Sequence, residues 1–453
     1  VKEYGFGYCR QLEAFSAEML DKLGERAFAC CPQLNSIRCH LKMEGFVCDI
    51  EKCDDCPICF GEVEECSNRG WNQRTEGVQT NLELIEQKLK EFDVELTVEQ
   101  ILNAEDGQIV NNCLVLQNEF YPQMAFEHRR DFTSVVALSL KRVSFKMFNH
   151  TAIKAAIMPE AQQIVNGEWD SCHGAFSFCD LESCYFPKLV RAGTYAFGCK
   201  IKQLTALAFP ALRRIGAYGF NNCTDICSVD LPNLVKIEEY GFSGCKNLES
   251  AAATSLQVAC HGAFQRTKLK NCLFPSLTKI GAFAFGGCLL TKLDRQNFPR
   301  LASISLRGFQ NCPLETVDLP CLEFVGEQGF AGCEALKKLR AEKLQQTDVF
   351  CFMGCTQLQL MSCNLEPDQL VCKKQAGDTG CGCPVCTGEL AGCLERGKVQ
   401  TKMEIARKVC LSQNDTLNAM KTQKTSRLER ISQVNNILIQ IVHGLIRGLE
   451  AQQ

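Results

Sequence analysis

The chain has 453 residues, 46% of them hydrophobic and 22% charged, a globular composition that excludes a wholly disordered polypeptide. A net charge of −3 argues against a whole-surface nucleic-acid binder. No apolar run approaches the ~18 residues that a membrane span needs. The outlier is cysteine, with 32 copies against six His and two Trp.

In chain order, residues 1–38 carry two copies of a short pattern: a small residue, Phe, two residues, Cys. These are GFGYC ending at Cys9 and AFACC ending at Cys31, with Phe6 and Phe28 22 residues apart. The chain opens at Val1 on an array of only two coils, so it is expected to be a piece of a longer parent. Residues 39–70 hold Cys39, Cys48, Cys53, Cys56, Cys59 and Cys66. Residues 71–105 read as an acidic helical linker: over 81–105, Leu82, Ile85, Leu89 and Phe92 recur at helical spacing among seven acids and two Lys.

Residues 106–363 return to the repeat. Anchor Phe residues fall at 176, 197, 220, 242, 264, 285, 309, 330 and 352, a step of 21 to 24. Between anchors, stretches such as Leu314, Val317, Leu319, Pro320 and Leu322 predict a short strand with its apolar residues inward, ended by Pro, which cannot donate to a ladder. One such coil cannot bury its apolar side alone, but stacked coils can. The weaker repeats of 106–170 are expected to form the N-terminal cap of the array.

LTKIGAFAFGGC (277–288) and LRRIGAYGFNNC (212–223) resemble the repeat of BspA-like, treponemal-type leucine-rich repeat proteins. The resemblance implies a leucine-rich repeat solenoid of short parallel strands and coils of about 22 residues. It also implies a surface-exposed adhesion or recognition role without catalytic residues.

The array then runs into CTQLQLMSC (355–363), as the first runs into CPQLNSIRC (31–39). Residues 364–397 form a second Cys-rich module with Cys372, Cys381, Cys383, Cys386 and Cys393, after Cys363. CPVCTGELAGC repeats CPICFGEVEEC, and VQTKMEI (399–405) repeats VQTNLEL (78–84), so the chain reads as a tandem duplication. Residues 398–453 form a basic helical tail. Its Leu428, Asn435, Val442 and Leu449 alternate with Ile431, Leu438 and Leu445, a seam over 428–449 that could self-associate.

The anchor cysteines read as buried, inert thiols. The modules carry too few apolar residues to fold on a core alone and need cross-links or metal. Disulfides are the expected answer, with structural zinc at the same cysteines as the alternative. CPICF is not followed by the Cys-x-His of a RING domain. CHGAF occurs at 172–176 and 260–264, but adjacent side chains on an extended strand point to opposite faces, so Cys and His there are repeat descent. No phosphate loop, G-x-S-x-G, H-E-x-x-H or EF-hand pattern occurs.

The expectation is a non-catalytic recognition protein without a cofactor, secreted or at the cell surface. It would bind a protein or host extracellular ligand, not nucleic acid, through the strand face of the array. The outward candidates there are Glu182, Tyr185, Asp230, Glu315, Asp318, Lys337, Lys338 and Arg340, with Glu315 and Asp318 facing the three cations of the next coil. The alternative is a cytoplasmic interaction scaffold with zinc-stabilised modules.

Overall fold

The computed structural model describes the strand backbones of Ala14–Ser16 and Ser36–Arg38, then residues 82–166, 173–198, 209–366, 369–370 and 383–398. The chain divides into two compact units, 1–80 and 81–453. In the first, Ala14–Ser16 pairs in parallel with Ser36–Arg38, with Phe15 opposite Ile37, one repeat period apart.

The second unit is a parallel β-solenoid. Each coil crosses a first strand row at the Leu-x-x-Val-x-Leu stretch. A five-stranded sheet begins this row, running from Ile109–Val110 through Cys113–Leu116, Ser134–Ala137 and Ala155–Ile157 to Ser183–Tyr185. Ser228–Asp230, Ser250–Ala252 and Asn271–Leu273 form a three-stranded sheet further on. Lys292–Leu293, Thr316–Asp318, Lys338–Ala341 and Leu360–Cys363 complete the row as a four-stranded sheet. Alternation sets the faces: Val229, Ala251, Val317 and Leu339 point inward and are buried, while their neighbours point out.

A second, ten-stranded sheet runs from Arg142–Val143 to Gln346–Thr347 and is the longest uninterrupted element. It lies on the x-Ile-Gly part of the repeat, for which the sequence pattern proposed no strand. Each strand is two residues long, with Ile215, Ile237, Ile280 and Ile304 inward. The glycine that follows lets the coils approach. A Cβ on Gly281 would sit 2.5 Å from the carbonyl carbon of Cys260, and one on Gly216 would sit 2.7 Å from that of Gly193.

The Phe turn forms the third side. Alternate amides reach the next coil, as Tyr218 N–H to the Glu239 carbonyl (2.8 Å), Phe220 to Gly241 (2.8 Å) and Asn222 to Ser243 (2.9 Å). Tyr218 takes φ +56°, unfavourable for a bulky residue. Its ring is stacked between Tyr195 (4.8 Å) and Tyr240 (4.9 Å), which with these hydrogen bonds holds the turn.

Inside, the anchor Phe rings form one file from Phe126 to Phe352, with neighbouring centroids 4.7 to 5.8 Å apart. That spacing follows the strand separation of about 4.8 Å. Each fully buried ring contributes roughly 1.5–3 kcal/mol of apolar burial. The anchor thiols tie coil to coil, because each donates to the carbonyl of the preceding anchor Phe. Cys245 Sγ lies 3.1 Å from Phe220 O, Cys312 3.1 Å from Phe285 O, Cys333 3.3 Å from Phe309 O and Cys355 3.2 Å from Phe330 O.

Three boundaries differ from the sequence expectation. Residues 113–165 are full coils rather than a cap: Cys113–Leu116 already pairs with Ser134–Ala137, and Phe126 and Phe148 belong to the ring file. The covering elements are instead the helices assigned to a linker, α1 (Leu82–Glu91) and α2 (Val98–Asn103), the latter opened by a capping box between Thr97 and Gln100. Here both faces of the strands are apolar. Leu114 and Val135 point into the solenoid, while Val115, Val136 and Ile157 meet Ile85, Leu89 and Ile101 of the helices.

At the other end, the second half of the second Cys module closes the array instead of standing apart. A short helix, α3 (Pro384–Thr387), and a helical stretch over 390–398 bring Leu390, Cys393 and Leu394 into the solenoid core. Cys393 Sγ donates to Leu358 O at 3.2 Å, and Arg396 Nε to Gln359 O at 3.0 Å. Gly397 lies where any Cβ would strike the Met361 carbonyl. Cys39, Cys48, Cys53, Cys56, Cys59, Cys66, Cys372 and Cys381 lie outside the described residues, as does the tail from 399 onward.

Candidate functional site

The candidate surface is the outer face of the first strand row. Helices α1 and α2 cover its beginning. Tyr185, expected to be outward and free, is 8% exposed and packs in the apolar layer beneath α1. Lys88 Nζ lies 5.5 Å from its ring centroid, and burial raises its phenol pKa. Glu182, just before that strand, is half-buried. These two residues therefore sit at the rim of the covered part.

Beyond the helices the face is open. Along one outward line stand Asp230, Ala252 and Leu273, then, on the next sheet, Asp318, Arg340 and Ser362, each in register with its neighbours. Their inward neighbours scarcely vary in character, whereas the outward set runs through acid, methyl, leucine, acid, base and hydroxyl.

The polar patch expected around Glu315, Asp318, Lys337, Lys338 and Arg340 is assembled by two adjacent coils. Thr316 lies opposite Lys338 and Asp318 opposite Arg340. The ion pairs differ from the cross-coil pairing that the sequence suggested. Asp318 turns back to Arg295 of the preceding coil (Oδ2 to Nε, 2.8 Å), and Arg340 pairs with Glu342 on its own coil (Nη2 to Oε1, 2.8 Å). Both pairs are solvated and contribute little stability, of order 0–1 kcal/mol. Glu315, Lys337 and Lys338 stand exposed beside them. Arg295 and Glu342 were missed because they follow the Val-x-Leu core, where the sequence shows a turn and no periodic face.

Buried chemistry elsewhere is inert. Desolvation raises the thiol pKa of Cys288 and Cys333 to about 12 and that of Cys179 to about 11, so their nucleophilic form is rare at neutral pH. His261 of the second CHGAF segment shares a hydrogen bond with the Tyr240 hydroxyl (2.7 Å). Among the described residues no cluster of three or more His, Cys, Asp or Glu has an arrangement that could hold a metal ion. No helix among them is long and apolar enough to cross a membrane.

Six copies of the family described as BspA type leucine-rich repeat region match residues 1–46, 172–291 and 259–366, which together span more than half of the chain. The chain belongs to this family. The chain is similar to a leucine-rich repeat protein from Bacteroides ovatus, at 21% identity and a TM-score of 0.36 over 55% of this chain and 76% of that one. The pneumococcal vaccine antigen PcpA is similar at 15% identity and a TM-score of 0.32, over 57% and 69% of the two chains. A leucine-rich repeat protein from Eubacterium ventriosum is similar at 13% identity and 0.28, over 55% and 86%. No curated protein matches the sequence. Leucine-rich repeat proteins are in general binding proteins rather than enzymes, and protein interaction is the role of this fold.

Proposed function

We propose that the chain is a non-catalytic recognition protein of the cell surface or secreted space, which holds a host or extracellular protein on the open strand face after α1 and α2. The observation that carries this reading is the contrast on that face: inward positions uniformly apolar and buried, outward positions from Asp230 to Ser362 chemically varied and free of any covering element among the described residues. A solenoid spreads such positions over a long surface on which neighbouring coils contribute side by side. Asp230, Glu315, Asp318, Lys337, Lys338 and Arg340 form its polar contacts, with Glu182 and Tyr185 at the helix-covered rim. No cofactor takes part. The modules are closed by disulfides formed in an oxidising compartment, so thiol counting on non-reduced protein should find the module cysteines outside the array core oxidised. Stoichiometric zinc with free thiols would support the cytoplasmic scaffold instead.

The functional test is binding to immobilised extracellular matrix proteins. Reversing Lys337 and Lys338 to Glu should weaken capture about tenfold while leaving the melting temperature nearly unchanged, since both side chains are exposed. If capture survives that change and disappears when 399–453 is removed, the tail is the interaction element and the array a spacer.

A further inference from the structure

We infer that the edge of the solenoid around Arg266 binds a linear sulfated polysaccharide, at a site separate from the polar patch proposed for the protein partner. The segment Arg266-Thr267-Lys268-Leu269-Lys270 alternates. Thr267 and Leu269 are buried in the core, and Arg266, Lys268 and Lys270 all stand exposed on the outer side. The coil before adds Lys246, which follows anchor Cys245 as Lys268 follows Thr267, and the coil after adds Lys292. Five cations thus gather on three successive coils, with steps of about 4.8 Å along the stack.

Little neutralises them. Glu249 pairs with Lys270 at 3.1 Å, with both side chains about half exposed. Among the described residues no carboxylate forms an ion pair with Lys246, Arg266, Lys268 or Lys292. Arg266 occupies a turn position that is Gly244 on one neighbouring coil and Gly287 on the other, with φ of +72° and +73°. The exposed Arg266 side chain is therefore flanked at that turn position by two residues without side chains.

The chemistry selects the ligand class. A guanidinium fork and flanking ammonium groups match oxyanions such as sulfate. The cations are exposed at the surface, three along one coil and one on each neighbouring coil, a spread of positive charge that suits a polymer carrying charge at every few ångströms. None of the five has an aromatic ring among them on which a base could stack, the feature that single-stranded nucleic-acid sites rely on.

The test uses the full chain and surface-immobilised heparin, with N- and O-desulfated heparin and single-stranded DNA as comparisons. Heparin should bind, weaken as NaCl rises, and lose at least about tenfold in affinity in R266E/K268E, while K337E/K338E stays within about twofold of wild type. R266Q/K268Q should lose less than the reversal, and all variants should keep the wild-type melting temperature. Three results would overturn the proposal: heparin binding unchanged in R266E/K268E, desulfated heparin binding as well as heparin, or single-stranded DNA binding more tightly through the same two residues.

Discussion

Phe242 is the most informative single perturbation. Its ring is fully buried between Phe220 at 5.4 Å and Phe264 at 5.5 Å, nearly parallel to both. Phe242→Ala removes the ring's transfer free energy and leaves a cavity that two rigid coils cannot close, which costs about 3–5 kcal/mol. Two stacking contacts worth roughly 0.5–1.5 kcal/mol each are lost with it, which places the site toward the upper end of that range. For an array of this size each kcal/mol lowers the midpoint by about 2–4 °C, so a cost of about 4–5 kcal/mol should shift thermal unfolding followed by circular dichroism by roughly 8–20 °C. Phe178 is the control. It is also a Phe near a turn but is 55% exposed, and its replacement by Ala should shift the midpoint by no more than about 2 °C. Equal effects at the two positions would refute the ring file as the source of stability.

Cys312→Ala should cost about 1–2 kcal/mol by urea titration, because the cross-coil bond to Phe285 O is lost, and Cys312→Thr less, because Thr267 fills the same anchor position with its hydroxyl satisfied on its own coil by Phe264 O at 2.9 Å. At pH 8 the thiol of Cys288, with its pKa raised from 9.0 to about 12 by burial, should react with a maleimide about a thousandfold more slowly in the folded protein than in the unfolded chain. The same shift carries a pH signature. The folded state keeps these thiols neutral, so their contribution to stability is complete below pH 9 and is lost as pH rises from 9 toward 12, visible as a falling urea midpoint. Glu238 pairs with Arg214 on the neighbouring coil and accepts from the Ala217 amide at 3.1 Å, with both charged side chains buried. Glu238→Ala should therefore cost about 3–5 kcal/mol in the same titration, and R214M/E238L considerably less.

The solenoid was legible because it is periodic. The Phe and Cys anchors and the Pro-ended strands repeat often enough to announce stacking, register and an inert thiol row without coordinates. The ten-stranded sheet was not, because two residues, Ile and its outward neighbour, give no alternation to read. The helical cover was missed for a different reason. CLVL at 113–116 and SVVA at 134–137 are apolar on both faces, a sign of strands covered twice, yet without an anchor Cys these coils looked like an irregular cap. That oversight also left Tyr185 among the exposed candidates. The ion pairs of Asp318 and Arg340 depend on side-chain reach across coils, which residue spacing alone does not determine.

Lysine footprinting by acetylation, read by mass spectrometry with and without the bound extracellular protein, tests the recognition surface most directly. Lys337 and Lys338 lie on the open strand face, and Lys279 is equally exposed on the ten-stranded sheet. Bound partner should protect Lys337 and Lys338 several-fold and leave Lys279 unchanged. Protection of Lys279 with continued labelling of Lys337 and Lys338 would contradict the assignment of the strand face as the recognition surface.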